Sequence, residues 1–449
     1  MRKKKQDSVK PNQYEWMLKL DKKSGSTEYR QTIDNIRIML DNDPGLAVKI
    51  CLDEFKNQIV AKSALPWDSF YTGAYPKAWT DYDRATLVAY SEKLLGISSQ
   101  FKIDVAVTAT AKKHSFHPVR EYLTALKWDS IPRLDTLFID FLGVADSPYA
   151  RAVTRKAFTA AVGRVMCPGV KFDTMVILYG PQGGYKSTLL RLMGEPWYSD
   201  SLRTFEGKEA MENLLGKWIL EIAELNAMNR SELNATKNFL SKTEDSFRAA
   251  YGRFTETHPR QSIFFGTTNS RTFLKDLTGG RRFFPLETDA QIRKKNVVND
   301  LPHERDMIWA EALARWKDKE PLFLPPELEK VAAEWQEDFR EIDPWEGIIA
   351  EFVDRPIPTD WDEWPISKRR MYWNNDFAAQ TDIQTTYRRR ICAQEIWCEA
   401  LGREMADLKQ ADSRRINAIL ESLPGWKKVG IMPRNCPYGR QRAYQNQEC

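Results

Sequence analysis

The sequence has no apolar run that approaches membrane-spanning length, and no apolar stretch follows the basic residues 1–5. Because a membrane helix needs about 20 consecutive apolar residues, we expect no membrane anchor and a cytoplasmic protein. The six cysteines are scattered, without a C-x-x-C pair or zinc-finger spacing. This pattern argues against a disulfide framework and a structural zinc site, and it suits reduced thiols.

The chain also lacks internal repeats and long low-complexity segments. Its 449 residues, 42% of them hydrophobic and 29% charged, are typical of a globular protein with two or three domains. The net charge is only +5, but residues 1–10 carry +4 and residues 364–449 carry +6, so the remainder carries −5. The basic ends suggest a surface for a polyanion, although charge alone is equally consistent with a solvated surface.

One stretch combines a buried strand, a glycine loop and a helix start. An apolar run from Met175 to Tyr179 ends at Gly180, and Lys186 opens an apolar helix. Backbone N–H groups of such a loop, at the positive end of a helix dipole, converge on phosphate oxygens. We predict a P-loop for ATP and Mg²⁺, in which Lys186 reaches the β- and γ-phosphates and Ser187 ligates the metal. The predicted nucleotide-binding residues are Gly180, Gly183, Gly184, Tyr185, Lys186, Ser187 and Thr188.

Tyr185 departs from this pattern, which has glycine before the lysine. Because tyrosine tolerates a positive φ poorly, either Gly183 and Gly184 supply the loop geometry or nucleotide affinity is reduced. The alternative interpretation of the stretch is a glycine-rich turn that binds nothing.

Carboxylates and an amide follow two later strand candidates. Glu221 and Glu224 lie at the end of the apolar run that begins at Trp218, and Asn269 follows the run that begins at Ser262. Phosphoryl transfer to water needs a carboxylate for Mg²⁺ and a group that orients the water. We predict Glu221 as a metal ligand with Ser187, Glu224 as a catalytic carboxylate and Asn269 as a hydrogen-bond partner of the γ-phosphate or the water. Both carboxylates reach one site only if the strand ends near Ile222.

Two further segments carry positive charge. Residues 237–253 interleave basic and aromatic side chains, which can hold a nucleic-acid backbone and stack bases, although a solvated helix and turn explains them equally well. The adjacent Arg281 and Arg282 follow a glycine turn, and we expect one of them to act across a subunit boundary as an arginine finger. The predicted DNA-binding residues are Lys237, Lys242, Arg248, Tyr251 and Arg253.

Local signals divide the chain into segments. Thr80 and Asp83 form a capping-box start for a helix that Gly96 ends, and another helix is expected from about Ser147 to Met166. Strand and helix candidates alternate after Met166, which predicts an α/β three-layer core with a largely parallel sheet. We predict a basic mobile tail (1–30), a mainly helical domain (31–126), a P-loop NTPase domain (127–340), a linker (341–387) and a winged-helix-like domain (388–449), for which a protein-interaction domain is the alternative.

Several sequence blocks resemble the virulence-associated protein E family of prophages, phage satellites and pathogenicity islands, which is similar to hexameric superfamily-three replicative helicases. The blocks are Phe116-His-Pro-Val-Arg-Glu-Tyr-Leu123, Trp128-Asp-Ser-Ile-Pro-Arg-Leu-Asp135, Pro168-Gly-Val-Lys-Phe-Asp173, Gly180-Pro-Gln-Gly183 with Lys186-Ser-Thr188, Glu221-Ile-Ala-Glu-Leu225 and Thr278-Gly-Gly-Arg-Arg282.

The resemblance implies an ATP-hydrolysing DNA helicase or translocase of mobile-element replication. It further implies a homo-oligomeric ring, hexameric in the family, that acts on single-stranded and duplex DNA and works with a primase or other replication proteins. Two other functions remain open. One is a P-loop phosphotransferase, which needs an acceptor site, and the other is a DNA-binding regulator with a degenerate nucleotide site, which the departure at Tyr185 supports.

Overall fold

The computed structural model describes residues 15–225, 230–248, 254–274, 280–375, 384–433 and 436–447. The chain divides into two compact units, Met1–Arg340 and Glu341–Cys449. No helix within the described residues is long and apolar enough to span a membrane.

The N-terminal part of the first unit has its own hydrophobic core and contains a small sheet, where the sequence predicted a mainly helical domain with some short extended pieces. Trp16 and Leu20 are buried in this core, so the predicted mobile tail is already packed there, while residues 1–14 lie outside the described residues. The sheet is antiparallel with the order β1-β2-β3. The elements are α1 (Ile33–Asn42), β1 (Ile50–Asp53), β2 (Gln58–Ala61), β3 (Lys77–Ala78), α2 (Asp81–Leu95) and α3 (Gln100–Lys113).

The capping signals around α2 are confirmed. Thr80 accepts a hydrogen bond from the Asp83 amide, and the Asp83 carboxylate accepts one from the Thr80 amide. Gly96 ends the helix with a left-handed φ of 68°. These bonds satisfy groups that have no partner inside the helix, which is why such short patterns fix helix ends locally.

A five-stranded parallel sheet forms the centre of the first unit, with the order β10-β4-β9-β6-β5. The helices and strands of this part of the chain, which include the sheet and the elements around it, confirm the predicted alternation. They are α4 (Pro118–Ala125), α5 (Leu137–Leu142), α6 (Pro148–Met166), β4 (Met175–Tyr179), α7 (Lys186–Gly194), β5 (Tyr198–Ser199), α8 (Gly207–Glu212), β6 (Ile219–Ile222), α9 (Arg230–Ser241), β7 (Glu244–Phe247), β8 (Glu256–Pro259), β9 (Ile263–Thr268), β10 (Phe283–Glu287), α10 (Leu301–Lys317) and α11 (Pro326–Asp338).

Alternate residues of strand β4, which lies between β10 and β9, enter different hydrophobic clusters. Val176 and Leu178 pack with residues of α6, α7 and α10, whereas Met175 and Ile177 pack with residues of α9. Because successive side chains of a strand point to opposite faces, helices cover both faces of the sheet. The apolar run 175–179 is therefore buried on both sides, as is typical of a parallel sheet.

The second unit combines helices with a three-stranded antiparallel sheet of order β13-β15-β14. Ile349 and Phe352 of its first helix are fully buried among residues of the later elements. The prediction of a linker over residues 341–387 is therefore wrong, because residues 344–373 contribute helices to this unit. The elements are α12 (Pro344–Asp354), β11 (Ile357–Pro358), α13 (Ile366–Trp373), β12 (Thr385–Thr386), β13 (Arg390–Ile391), α14 (Ala393–Glu395) with a π-helical continuation (Ile396–Ala400), α15 (Gln410–Ser422), β14 (Trp426–Ile431) and β15 (Arg442–Asn446).

Candidate phosphate-binding site

The loop between β4 and α7 has a backbone that neighbouring segments hold in place. Gly180 has a φ of 155°, and a Cβ atom there would lie 2.2 Å from Oγ1 of Thr288. The Thr288 amide in turn donates to the Tyr179 carbonyl at 2.7 Å. Gly183 adopts a left-handed φ of 81°. Glycine is thus required at 180 for close approach, and it suits 183 because of its backbone conformation.

Tyr185, the departure from the P-loop pattern, itself adopts the left-handed conformation, with a φ of 63°. The expectation that Gly183 and Gly184 would supply this geometry is therefore only half right, since Gly184 has no positive φ. The side chain of Tyr185 is 41% exposed, and the Arg293 guanidinium lies 5.0 Å from its ring centroid. The loop keeps its turn without glycine at 185, at the cost of strain in a tyrosine backbone.

Lys186, the first residue of α7, is buried at the base of the loop. Its Nζ donates to the carbonyls of Gly180 (2.7 Å) and Pro181 (2.8 Å) and to Oδ1 of Asn269 (3.2 Å). Burial lowers the pKa of Lys186, and the nearby Glu221 carboxylate opposes that shift. The ammonium group thus connects the loop with the tip of strand β9.

Glu221 accepts three side-chain hydrogen bonds and is almost completely buried. The donors are Ser187 Oγ (2.5 Å), Tyr198 Oη (2.5 Å) and Thr267 Oγ1 (2.6 Å), so one carboxylate joins α7, β5 and β9. Burial and the bond to Glu221 raise the pKa of Tyr198. Sequence reasoning predicted the closeness of Ser187 and Glu221 but missed Tyr198 and Thr267.

Glu224 lies beyond the end of β6, where it lines a cleft with the loop. The strand ends at Ile222, which is the condition under which both carboxylates can face the same region. Glu224 is exposed and has a positive φ of 55°. The cleft has a volume of about 500 Å³. Its lining consists of residues 182–188, Ala223, Glu224 and residues 267–269.

Asn269 follows β9, the strand that lies between β4 and β6 in the sheet. Parallel strands present their carboxyl ends at one edge, so this order brings Asn269 between the loop and the two carboxylates. Its side-chain oxygen accepts from Lys186 at 3.2 Å. The structure therefore gathers Lys186, Ser187, Glu221, Glu224 and Asn269 at one edge of the sheet.

The oxygen atoms at this edge fit a magnesium ion that is bound together with a triphosphate. Mg²⁺ at such sites takes one or two protein oxygens, several waters and substrate phosphates. The hydroxyl of Ser187 and the carboxylate of Glu221, which are hydrogen-bonded to each other, would supply the protein oxygens. Across the described part of the chain, no group of three or more His, Cys, Asp or Glu side chains is placed to hold a metal. The residues at this edge fit Mg²⁺ that would be bound together with a nucleotide.

Arg281 and Arg282 lie at the opposite edge of the sheet from the loop. They precede β10, whose first residue, Phe283, pairs with Met175 at the start of β4. The length of β4 therefore separates them from the loop, about 13 Å at the usual rise of a strand. Arg281 is exposed, and Nε of Arg282 donates to Ser241 Oγ at 2.9 Å.

The predicted DNA-binding segment, residues 237–253, begins in α9 and continues through β7, which pairs with β8 in an antiparallel hairpin; residues 249–253 lie outside the described residues. Lys237 is buried, so it does not join the exposed Arg248 on the surface. Lys242 is partly exposed, with its Nζ 6.0 Å from the ring centroid of Phe239. Tyr251 and Arg253 lie outside the described residues.

The chain is similar to one protein family and to several solved structures. The model of the virulence-associated protein E-like domain matches residues 123–341. Among curated proteins, no match to the chain was found. An apo structure of the NrS-1 C-terminal region (305–718) is 12% identical, with coverage of 88% of this chain and 95% of that chain and a TM-score of 0.44. An A-form apo structure of the same region is 13% identical, with coverage of 88% and 96% and a TM-score of 0.46.

Proposed function

Because residues 123–341 belong to the virulence-associated protein E-like domain family, we propose that this protein hydrolyses ATP with Mg²⁺ and uses the energy as a DNA helicase or translocase in mobile-element replication. The observation that most supports the proposal is that Lys186, Ser187, Glu224 and Asn269 line one cleft, while the buried Glu221 accepts a hydrogen bond from Ser187 behind it. A glycine-rich turn without a ligand does not require this set of groups.

The first step is capture of the triphosphate by the loop. Lys186 exchanges its bonds to the Gly180 and Pro181 carbonyls for the phosphate oxygens, while amides at the start of α7 donate to the same group. Ser187 and Glu221 would hold Mg²⁺, which would supply positive charge against the developing charge of the phosphates. Tyr198 and Thr267 keep the Glu221 carboxylate oriented.

Hydrolysis then requires a positioned water. Glu224, exposed in the cleft, accepts a proton from the water while the water oxygen forms a bond to the γ-phosphorus. The bond from that phosphorus to the β,γ-bridging oxygen breaks, and ADP and phosphate leave. Asn269, whose side-chain oxygen is within hydrogen-bond distance of Lys186, holds the γ-phosphate or the water.

Phosphate release from ATP, with and without single-stranded DNA, tests this proposal. Lys186→Ala and Glu224→Gln should abolish release and keep the fold, whereas Lys208→Ala, on the exposed surface of α8, should match the unaltered protein. Normal turnover by Lys186→Ala would refute the assignment. Phosphate transfer to a small acceptor without DNA stimulation would favour a phosphotransferase, and DNA binding without hydrolysis would favour the regulator.

The proposal includes an arginine finger that acts between subunits. Arg281 and Arg282 precede β10 at the edge opposite the loop, so a head-to-tail ring is the arrangement in which they reach a neighbour's nucleotide. Lys186→Ala protein and Arg281→Ala/Arg282→Ala protein, each inactive, should therefore recover part of the hydrolysis when mixed. A silent mixture of subunits that demonstrably assemble together would exclude a finger in trans.

DNA stimulation is assigned to the β7–β8 hairpin region. Arg248 is exposed beside the hairpin, and Lys242 lies at the end of α9. Alanine at these two positions should lower hydrolysis in the presence of single-stranded DNA and leave the basal rate unchanged. Equal stimulation in the variant and in Lys208→Ala would contradict this assignment.

A further inference from the structure

The C-terminal unit contains a second cleft, with a volume of about 660 Å³. This size lies within the range of pockets that hold one small ligand or one segment of a chain, about 300–1,000 Å³. Four arginines line it, Arg369, Arg388, Arg389 and Arg390, against two acidic residues, Asp362 and Glu395. An excess of guanidinium groups in a concave surface favours an anionic ligand.

The deep wall of this cleft contains charged groups with unfilled hydrogen-bonding capacity. Arg388 is 3% exposed and donates through Nη1 to the carbonyls of Phe352 and Arg355, but its Nε has no hydrogen-bond partner among the residues that the structure describes. Arg369 is 2% exposed and donates through Nη1 to the Glu399 carboxylate at 3.2 Å, but its Nη2 has no partner within the described part of the chain. Buried polar groups without partners are rare and costly, and they call for an explanation such as a ligand.

Glu395 stands beside these arginines with an oxygen 3.8 Å from Nε of Arg388, beyond hydrogen-bond distance. Burial, reinforced by the neighbouring Glu399 carboxylate, raises the pKa of Glu395. Glu395 therefore does not satisfy the Nε donor of Arg388, from which its nearest oxygen is 3.8 Å away. The wall offers both N–H donors and a carboxyl group, a combination that matches the polar edge of a nucleobase.

The rim of the cleft has a different character. Tyr387 is 56% exposed, and the neighbouring Arg389 and Arg390 are also exposed. Arg390 donates to Gln445 at 3.3 Å. An exposed aromatic ring flanked by two guanidinium groups suits a base that stacks on the ring and phosphates that the arginines contact.

We infer that this cleft binds single-stranded nucleic acid, with one nucleotide inserted so that its base stacks on Tyr387 and its phosphates meet Arg389 and Arg390. A duplex cannot enter in this way, because its bases are stacked inside the helix. The mode therefore differs from the helix-in-groove binding expected of a winged-helix module. It adds a site to the proposed function and stands even if the phosphate loop does not hydrolyse ATP.

The test measures binding of a short labelled oligothymidine to the full chain, by fluorescence anisotropy without nucleotide. Arg389→Ala/Arg390→Ala should weaken binding and flatten the dependence of log affinity on log salt by about 0.7 for each lost phosphate contact. Tyr387→Ala should weaken binding at least about fivefold with an unchanged slope, and Tyr387→Phe should restore it. The charge-matched control, Lys409→Ala/Arg414→Ala, alters exposed residues that do not line the cleft.

Two measurements can overturn the inference. In the anisotropy assay, equal oligothymidine affinity in the cleft variants and the control, or no binding by the unaltered protein, would do so. The second measurement is photo-cross-linking of a thiothymidine oligonucleotide to the unaltered protein, which does not depend on the folding of any variant. Cross-links to the peptide that contains Tyr387 are expected, and cross-links confined to residues outside the cleft would exclude it. If the cleft variants lose affinity for duplex DNA but keep their affinity for oligothymidine, the cleft binds the duplex instead.

Discussion

Substitution of Tyr185 by glycine and by alanine separates the backbone role of this residue from the role of its ring. At a φ of 63° the left-handed conformation costs a non-glycine residue about 1–2 kcal/mol. Both substitutions remove the ring, but only glycine removes the strain. Glycine also increases the entropy of the unfolded chain, which lowers the free energy of unfolding by about 0.4–1 kcal/mol and so offsets part of the gain from the removed strain. The glycine variant should therefore be more stable than the alanine variant by about 1 kcal/mol.

The ring itself contributes through Arg293, whose guanidinium lies 5.0 Å from the ring centroid. A cation–π contact at such an exposed position contributes about 0.5–1 kcal/mol. Tyr185→Ala should lose this amount, and combination with Arg293→Ala should add nothing further. Phenylalanine at 185 should preserve the contact.

Urea unfolding of the four variants, followed by tryptophan fluorescence and by circular dichroism, measures these differences. An alanine variant as stable as the glycine variant would refute the argument from backbone strain. Isothermal titration with ATP gives a second readout. Because the loop already has its turn, glycine has no geometry to restore, and the affinity for ATP should not rise. A clear gain in affinity would mean that Tyr185 distorts the loop.

Two further predictions concern hydrogen-bonded side chains. Tyr198→Phe removes a donor from the buried carboxylate of Glu221 and should lower the free energy of unfolding by about 1–3 kcal/mol, whereas Tyr82→Phe, at an exposed position, should change it little in the same urea experiment. In the C-terminal unit, the hydrogen bond from Cys392 lowers the pKa of Cys436. Since the thiolate is the reactive form, alkylation of Cys436 by iodoacetamide should reach its maximum at a lower pH than for an ordinary thiol, whose pKa is about 8.5. Cys392→Ala should move the midpoint of this pH profile, measured by mass spectrometry, upward, and an unmoved midpoint would contradict the assignment.

The amino-acid sequence by itself determined those features that neighbouring residues create. The helix from Asp81 to Leu95 is set by Thr80, Asp83 and Gly96, because capping bonds join residues only a few positions apart. The strand, loop and helix around Lys186 were predictable for the same reason, and so was the parallel character of the sheet, since strands alternate with helices.

Only the tertiary structure decided what distant segments bring together. Strand order fixes that β9 lies between β4 and β6, and no local pattern specifies which strands become neighbours across long crossovers. The hydroxyls of Tyr198 and Thr267 meet Glu221 as a consequence, although neither residue belongs to a motif. Burial of Lys237 likewise depends on what packs over α9, because the charge of a lysine in a sequence does not reveal whether neighbouring elements cover its stem.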